Sequence, residues 1–317
     1  MTYESGNTKA GYISLVGRPN AGKSTLLNAL VGQKIAGVSA KPQTTRNKIL
    51  GIAHHNDAQL LFLDTPGMHR MKRAATINSL MNREAFSVVE ESHLILYLID
   101  GVVGPTKMDE TFLQSVLRAS EVPVAVMISK SDRLKKSALR ELEISIRSLT
   151  QEVLSQLEPS KESLLCQDIL VVSAKQKTSF LPLLDFIEDK LPESAWLYPE
   201  DDLTDRPQRF IVSELIREKV FRNFGEEIPY QTAVRIDEMS SGRNITNVIA
   251  SIVVARSSQK GMVIGKRASK IKAIGIEARA EIEQLLGQKV FLDLQVKVDA
   301  NWFNSRSLIA EYSSLDV

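Results

Sequence analysis

One stretch constrains this chain more than any other. Gly17, Arg18, Pro19, Asn20, Ala21, Gly22, Lys23 and Ser24 fit the G-x-x-x-x-G-K-[ST] pattern at every fixed position. Tyr12–Val16 before it is rich in β-formers, and Thr25–Val31 after it puts Leu26, Leu27 and Leu30 on one helical face. Strand, glycine loop and helix is the setting in which such a stretch cradles phosphate. Gly17 and Gly22 let the backbone curl so that its N–H groups converge. The helix N-terminus adds partial positive charge. Lys23 is expected to reach the β- and γ-phosphates, and the Ser24 hydroxyl to hold Mg²⁺.

A length of 317 residues favours two domains over one. The net charge of +2 carries no global nucleic-acid signature, so any such function must rest on a local patch. The only cysteine, Cys166, forms no intrachain disulfide and suits a reducing cytosol. Met1–Ala10 is polar, unlike a signal peptide, and the apolar run Leu94–Ile99 is too short to span a bilayer. The expectation is a soluble, cytoplasmic protein.

After the loop and its helix, Lys34–Arg46 is polar and aperiodic and reads as a loop. Lys48–Ala53 and Gln59–Asp64 read as a hairpin across His54–Ala58. A helix is expected over Ala74–Glu90. Strand and helix then alternate: strand Leu94–Asp100, helix Met108–Ala119, strand Pro123–Ser129, an amphipathic helix from Leu139 to Val153, strand Ile169–Ser173 and helix Leu181–Leu191. This pattern predicts an α/β, doubly wound, mostly parallel sheet with ligands beyond the carboxyl ends of its strands. The expected division is a tail over 1–10, a nucleotide domain over 11–197, an acidic, proline-bearing linker over 198–209, a smaller α+β domain over 210–302 and a polar tail over 303–317.

The nucleotide site draws on further stretches. Asp64, Thr65, Pro66 and Gly67 end the second hairpin strand; the carboxylate is placed to hold Mg²⁺ and the Gly67 N–H to meet the γ-phosphate. Thr44 and Thr45 lie in the flexible loop, and Thr45 is the residue expected to complete the Mg²⁺ shell. Base choice is assigned to Ser129, Lys130, Ser131 and Asp132, with Ser173 and Ala174, each group at a strand end. An ionised Asp132 accepts two hydrogen bonds from guanine that adenine cannot offer, so GTP is favoured over ATP. Ser129 stands where GTP-binding proteins usually carry Asn or Thr. Its shorter side chain is expected to hold the loop less firmly.

These stretches, with Pro42–Arg46, Thr204–Arg206 and Gln208–Phe210, resemble the Era family of GTPases over nearly the whole chain. The resemblance implies GTP and GDP as ligands, GTP hydrolysis with Mg²⁺, and a C-terminal type II KH domain. Met68 occupies the place of the water-orienting glutamine of signalling GTPases, so catalysis rests on Lys23, Thr45, Gly67 and the loop itself. Asn20 corresponds to an asparagine that helps bind K⁺ in related GTPases, which implies K⁺ as a second cation.

In the second domain, Val263–Gly275 joins two helices through a basic turn. Gly265, Lys266, Arg267 and Ala268 stand at a G-x-x-G-type turn, with Lys270 and Lys272 beside it. Ala268 replaces the second glycine. Ile264, Ile271 and Ile274 are expected to form a floor for bases. The resemblance implies the 3′ end of small-subunit (16S) ribosomal RNA as target, a role in assembly of the small ribosomal subunit, peripheral association with the inner face of the cell membrane, and a monomer. GTP would order the loops and reposition the RNA domain through Tyr198–Arg209. The alternative is an RNA-binding module whose nucleotide switch has decayed.

Overall fold

In the computed structural model, the described residues are 8–39, 41, 44, 46–66, 88–225, 227–300, 302 and 305–313. By internal packing they fall into two units. The first holds residues up to 33, from 48 to 66 and from 88 to 205; the second holds the described part of 34–47 and everything from 206 onward.

The first unit is built on a 6-stranded sheet of order β2-β3-β1-β4-β5-β6. Its strands are β1 (Lys9–Gly17), β2 (Ile49–His55), β3 (Ala58–Asp64), β4 (Leu94–Asp100), β5 (Val124–Ser129) and β6 (Leu170–Val171). Only the β2–β3 pair is antiparallel. Its turn is two residues, Asn56 and Asp57, rather than the five expected, with Asn56 in the left-handed region at φ 48. β3 and β4 are buried along their whole length, which is why both read as unbroken apolar runs. Helices α1 (Lys23–Val31), α2 (Lys107–Ala119), α3 (Lys136–Ser155) and α4 (Phe180–Lys190) also belong to this unit. The amphipathic spacing read in α3 buries Leu142, Ile146 and Val153. β6 is far shorter than the strand expected over Ile169–Ser173; the Val172 N–H still donates to the Ile128 carbonyl, and the chain then leaves the ladder toward Ser173 and Ala174. The helix expected over Ala74–Glu90 lies mostly outside the described residues, which include a helical turn at 88–91.

The stretch expected to link domains is tied down at its start. The buried Gln59 side chain donates to the Tyr198 carbonyl at 2.8 Å and accepts from the N–H groups of Leu197 and Tyr198. The Ile52 N–H donates to the Leu203 carbonyl at 2.9 Å. Prolines and acidic residues suggest a loose connector, but edge strand β2 still has main-chain groups to satisfy.

The second unit carries α5 (Gln208–Asn223), β7 (Thr232–Ser241), β8 (Ile245–Val254), α6 (Ser257–Ile264), α7 (Ser269–Leu286), β9 (Lys289–Val298) and α8 (Arg306–Ser313). Its sheet runs β7-β8-β9, antiparallel then parallel. The order helix–strand–strand–helix–helix–strand matches the expectation. The polar tail does not: it contains α8. Ile309 packs with Trp302, Ala233 and Val253, all buried. Leu308, Ile309 and Tyr312 form too short an apolar stripe to stand out among the serines around them.

Candidate functional site

β1 lies between β3 and β4 in the sheet, so the chain reverses its winding direction at the carboxyl end of β1. The glycine loop leaves the sheet at that point. A Cβ on Gly17 (φ +149) would stand 2.5 Å from the Leu98 carbonyl oxygen, so the close approach of β4 requires glycine. Gly22 has room for a side chain, but its φ of +99 disfavours one. Gly22 caps α1 without any side-chain hydrogen bond, and no acidic residue lies in the first turn. The N–H groups there remain directed toward an incoming anion. Lys23, 5% exposed, donates to the carbonyls of Gly17 and Arg18, both at 3.1 Å. Burial lowers its ammonium to about 8, against the opposing pull of Asp64.

The Ser24 hydroxyl donates to Asp64 Oδ2 at 2.5 Å, with Asp64 fully buried at the end of β3. Two hard oxygen donors meeting beside the loop are the chemistry Mg²⁺ takes, so this pair fits the ion. Thr65 donates to the Leu15 carbonyl and fixes the turn after Asp64. Thr45, Gly67 and Met68 lie outside the described residues.

The groups expected to read the base converge at the ends of β5 and β6. Ser173 Oγ donates to Asp132 Oδ1 at 2.7 Å, and the Lys175 N–H donates to Ser173 Oγ. Ser129 Oγ is 2.6 Å from the Ala21 carbonyl oxygen and 3.1 Å from that of Ile99. Lys130, in the left-handed region at φ 56, donates to the Asn20 carbonyl at 2.8 Å and to Asp100 Oδ2 at 2.6 Å. Phosphate loop and base loop are thus stitched together by Ser129 and Lys130.

Two carboxylates of the site are missed by sequence reasoning. Burial pushes the Asp100 carboxyl up, but hydrogen bonds from Lys130 and the N–H groups of Val102 and Val103 outweigh it and hold the group below its usual value. A signal for it exists, because Asp100 ends a buried strand just as Asp64 does. Asp109, wholly buried, pairs with Arg18 Nε at 2.7 Å while its Oδ2 accepts from Thr106 at the start of α2. No local pattern connects those residues.

In the second unit, the segment after α1 is packed into the core. Arg46, 2% exposed, donates to the carbonyls of Pro229, Tyr230 and Thr232 and lies over the rings of Phe221 and Trp302. Glu218 of α5 accepts from the Val38 N–H at 2.9 Å and pairs with Lys34, Lys219 and Arg222. Arg217, clasped by Glu214, donates to the Thr44 carbonyl.

The basic turn sits between α6 and α7. A Cβ on Gly265 (φ +72) would fall 2.7 Å from Lys270 Cγ. Arg267 and Ala268 are also left-handed, at φ 52 and 61. Lys266, Arg267, Lys270 and Lys272 are exposed. Beside the turn runs a groove of about 330 Å³ between α7 and β9. Ile271 lines it as expected, but Ile274 is fully buried in the core and Ile264 is not among the lining residues. The other apolar walls are Ile276, Leu292 and Leu294.

Residues 12–130 match the family described as 50S ribosome-binding GTPase, and 227–303 match the KH domain family. The chain is 40% identical over 305 residues to GTPase Era of Geobacter sp. (strain M21), covering 96% of this chain and 97% of that one. It is 38% identical over 304 residues to GTPase Era of Geotalea daltonii, with the same coverage. Among solved structures it is similar to a point variant of Aquifex aeolicus Era bound to GDP·AlF4⁻, with a TM-score of 0.87, 34% identity, and coverage of 96% of this chain and 99% of that one. It is also similar to Era in complex with MgGDPNP and nucleotides 1506–1542 of 16S ribosomal RNA, at a TM-score of 0.85 and 34% identity, covering 96% and 98%. No helix among the described residues is long and apolar enough to cross a membrane.

Proposed function

The chain belongs to the Era family of GTPases, and on that premise we propose that it is a cytoplasmic, nucleotide-gated clamp for the 3′ end of small-subunit ribosomal RNA that assists assembly of that subunit. The GTPase domain spans 11–197 and the type II KH domain 210–302 in this reading. The observation that carries it is the likeness, over 96% of this chain, to an Era structure holding nucleotide and 16S ribosomal RNA at once.

Each step falls to identifiable residues. The N–H groups at the start of α1 and the Lys23 ammonium neutralise the phosphates. Asp132, aligned by Ser173, accepts from N1–H and the exocyclic amine of guanine, while the Ala174 N–H donates to O6. Ser24, Asp64 and Thr45 would hold Mg²⁺, which would compensate phosphate charge there. Asn20 would help hold K⁺, which would supply the positive charge that an arginine finger supplies in other GTPases. The exposed lysines and Arg267 of the basic turn grip the RNA backbone. The decayed-switch alternative loses ground, because the contacts Ser24–Asp64, Lys130–Asp100 and Asp132–Ser173 are all formed.

The test is binding of fluorescent GTP and ATP to the full chain, with phosphate release, with and without an oligoribonucleotide copying the ribosomal RNA 3′ end. GTP preference, slow turnover and RNA affinity that differs between GDP and a non-hydrolysable GTP analogue are expected. Equal binding of both purines overturns the reading.

A further inference from the structure

The groove between α7 and β9 contains a carboxylate that phosphate binding does not explain. Asp293 lines it, together with Lys272 and Arg279. It is half-buried and makes no hydrogen bond or ion pair among the described residues, although two cations line the same groove. Lys272 and Arg279 likewise make none among the described residues. A negative charge held there repels RNA phosphates and forfeits part of its hydration. Such a group suits an RNA groove where it meets hydrogen-bond donors, either a ribose 2′-OH or a base edge, and only the second tells one base from another.

The surroundings suit a base. β9 is the edge of its sheet, so Leu292, Asp293 and Leu294 all reach the groove although neighbouring strand residues face opposite ways. Gly275 lies in the middle of α7, where glycine is disfavoured relative to alanine. A Cβ there would stand 3.6 Å from Leu294, an ordinary contact, so packing of α7 on β9 does not demand glycine. What Gly275 does is keep the groove floor open.

We infer that Asp293 reads one base of the bound RNA and selects a base bearing an exocyclic amine, cytosine over uracil. The inference rests on the RNA-binding reading above. Cytosine offers its N4 amine to a carboxylate. Uracil presents the O4 carbonyl at that place, and two sets of lone pairs then face each other in a partly desolvated groove. Lys272 and Arg279 flank the contact and offset the charge for the neighbouring phosphates.

The test uses the full chain and two fluorescent eight-nucleotide probes, oligo(C) and oligo(U), which differ only at the 4-amino or 4-oxo group and the adjacent ring proton. The wild type is expected to bind oligo(C) about tenfold more tightly, in line with the discrimination of one good base contact. Asp293→Asn, which can donate as well as accept, is expected to bring the two within about twofold at an unchanged melting temperature. Gly275→Ala narrows the groove without touching the carboxylate and should weaken both probes while preserving their ratio. Equal wild-type affinities, or a ratio retained in Asp293→Asn, overturn the inference alone. Failure to bind either probe or the ribosomal 3′-end oligonucleotide overturns the RNA reading and this inference with it.

Discussion

The Ser129 hydroxyl lies 2.6 Å from the carbonyl oxygen of Ala21, and so the strand that ends in the base-reading loop grips the phosphate loop directly. A serine is expected to hold less firmly than the longer residues usual at this place. It reaches because β5 ends within hydrogen-bond range of the loop, and Lys130 adds a second bond to Asn20. Ser129→Ala should remove about 1 kcal/mol of this support. GTP affinity is expected to fall roughly fivefold, with the preference over ATP unchanged, because the residue shapes the loop and does not touch the base. Equilibrium binding of both nucleotides checks this.

Asp132→Asn should reverse the base choice. The amide donates where the carboxylate accepted, so guanine loses its partner for N1–H and the amine. Xanthine, with a carbonyl at that carbon, gains one. GTP binding should weaken by about 100-fold or more, and xanthosine triphosphate should bind in its place, as competition titration will show.

Proton uptake should accompany nucleotide binding at alkaline pH. Burial lowers Lys23 from its ordinary 10.5 to about 8, so at pH 9 the ligand-free lysine is mostly neutral. Phosphates favour its charged form and draw a proton in. Affinity for GTP should therefore fall as pH rises above about 8. The ligand-free protein behaves oppositely: between about 8 and 10.5 the unfolded chain binds the extra proton, so this group's contribution to stability increases with pH. Calorimetric titrations in buffers of different ionisation enthalpy measure the uptake.

Ala268→Gly should stabilise the fold. Alanine at φ 61 carries a left-handed strain of about 1 kcal/mol that glycine avoids. Gly265→Ala should do the reverse and more, since its Cβ would collide with Lys270 at 2.7 Å and 2.9 Å. Thermal melts of the two variants should move in opposite directions, and RNA binding should follow them.

GTP hydrolysis should be faster in K⁺ than in Na⁺ at equal ionic strength. Asn20→Ala should abolish the difference while leaving GDP affinity within about threefold. Phosphate release in the two salts decides it.

Much of this architecture is legible in the sequence, for definite reasons. The loop from Gly17 to Ser24 is a local motif, and the buried strands β3 and β4 announce themselves as apolar runs. The contacts that complete the site are not local. Arg18 with Asp109, and Lys130 with Asp100, are 91 and 30 residues apart and meet only because β1, β4 and β5 adjoin. Ile274 reads as part of the groove because it follows Ile271 by three residues, on nearly the same helical face, but it is fully buried in the core while Ile271 lines the groove. Helix α8 is hidden in the sequence because its apolar positions find their partner in Trp302 and the sheet, outside its own short span.

Arg46 closes the one stretch of chain, Lys34–Asn47, whose threonines are candidates to sense the terminal phosphate, and its guanidinium is sunk among three main-chain carbonyls of the RNA-binding half. If that stretch senses the phosphate, as proposed above, sensor and RNA domain draw on one set of contacts. Thermodynamic reciprocity then applies: whatever factor GTP imposes on RNA affinity, RNA must impose on GTP affinity in return. A ribosomal RNA end in the groove would act as an effector of the nucleotide site as well as its cargo.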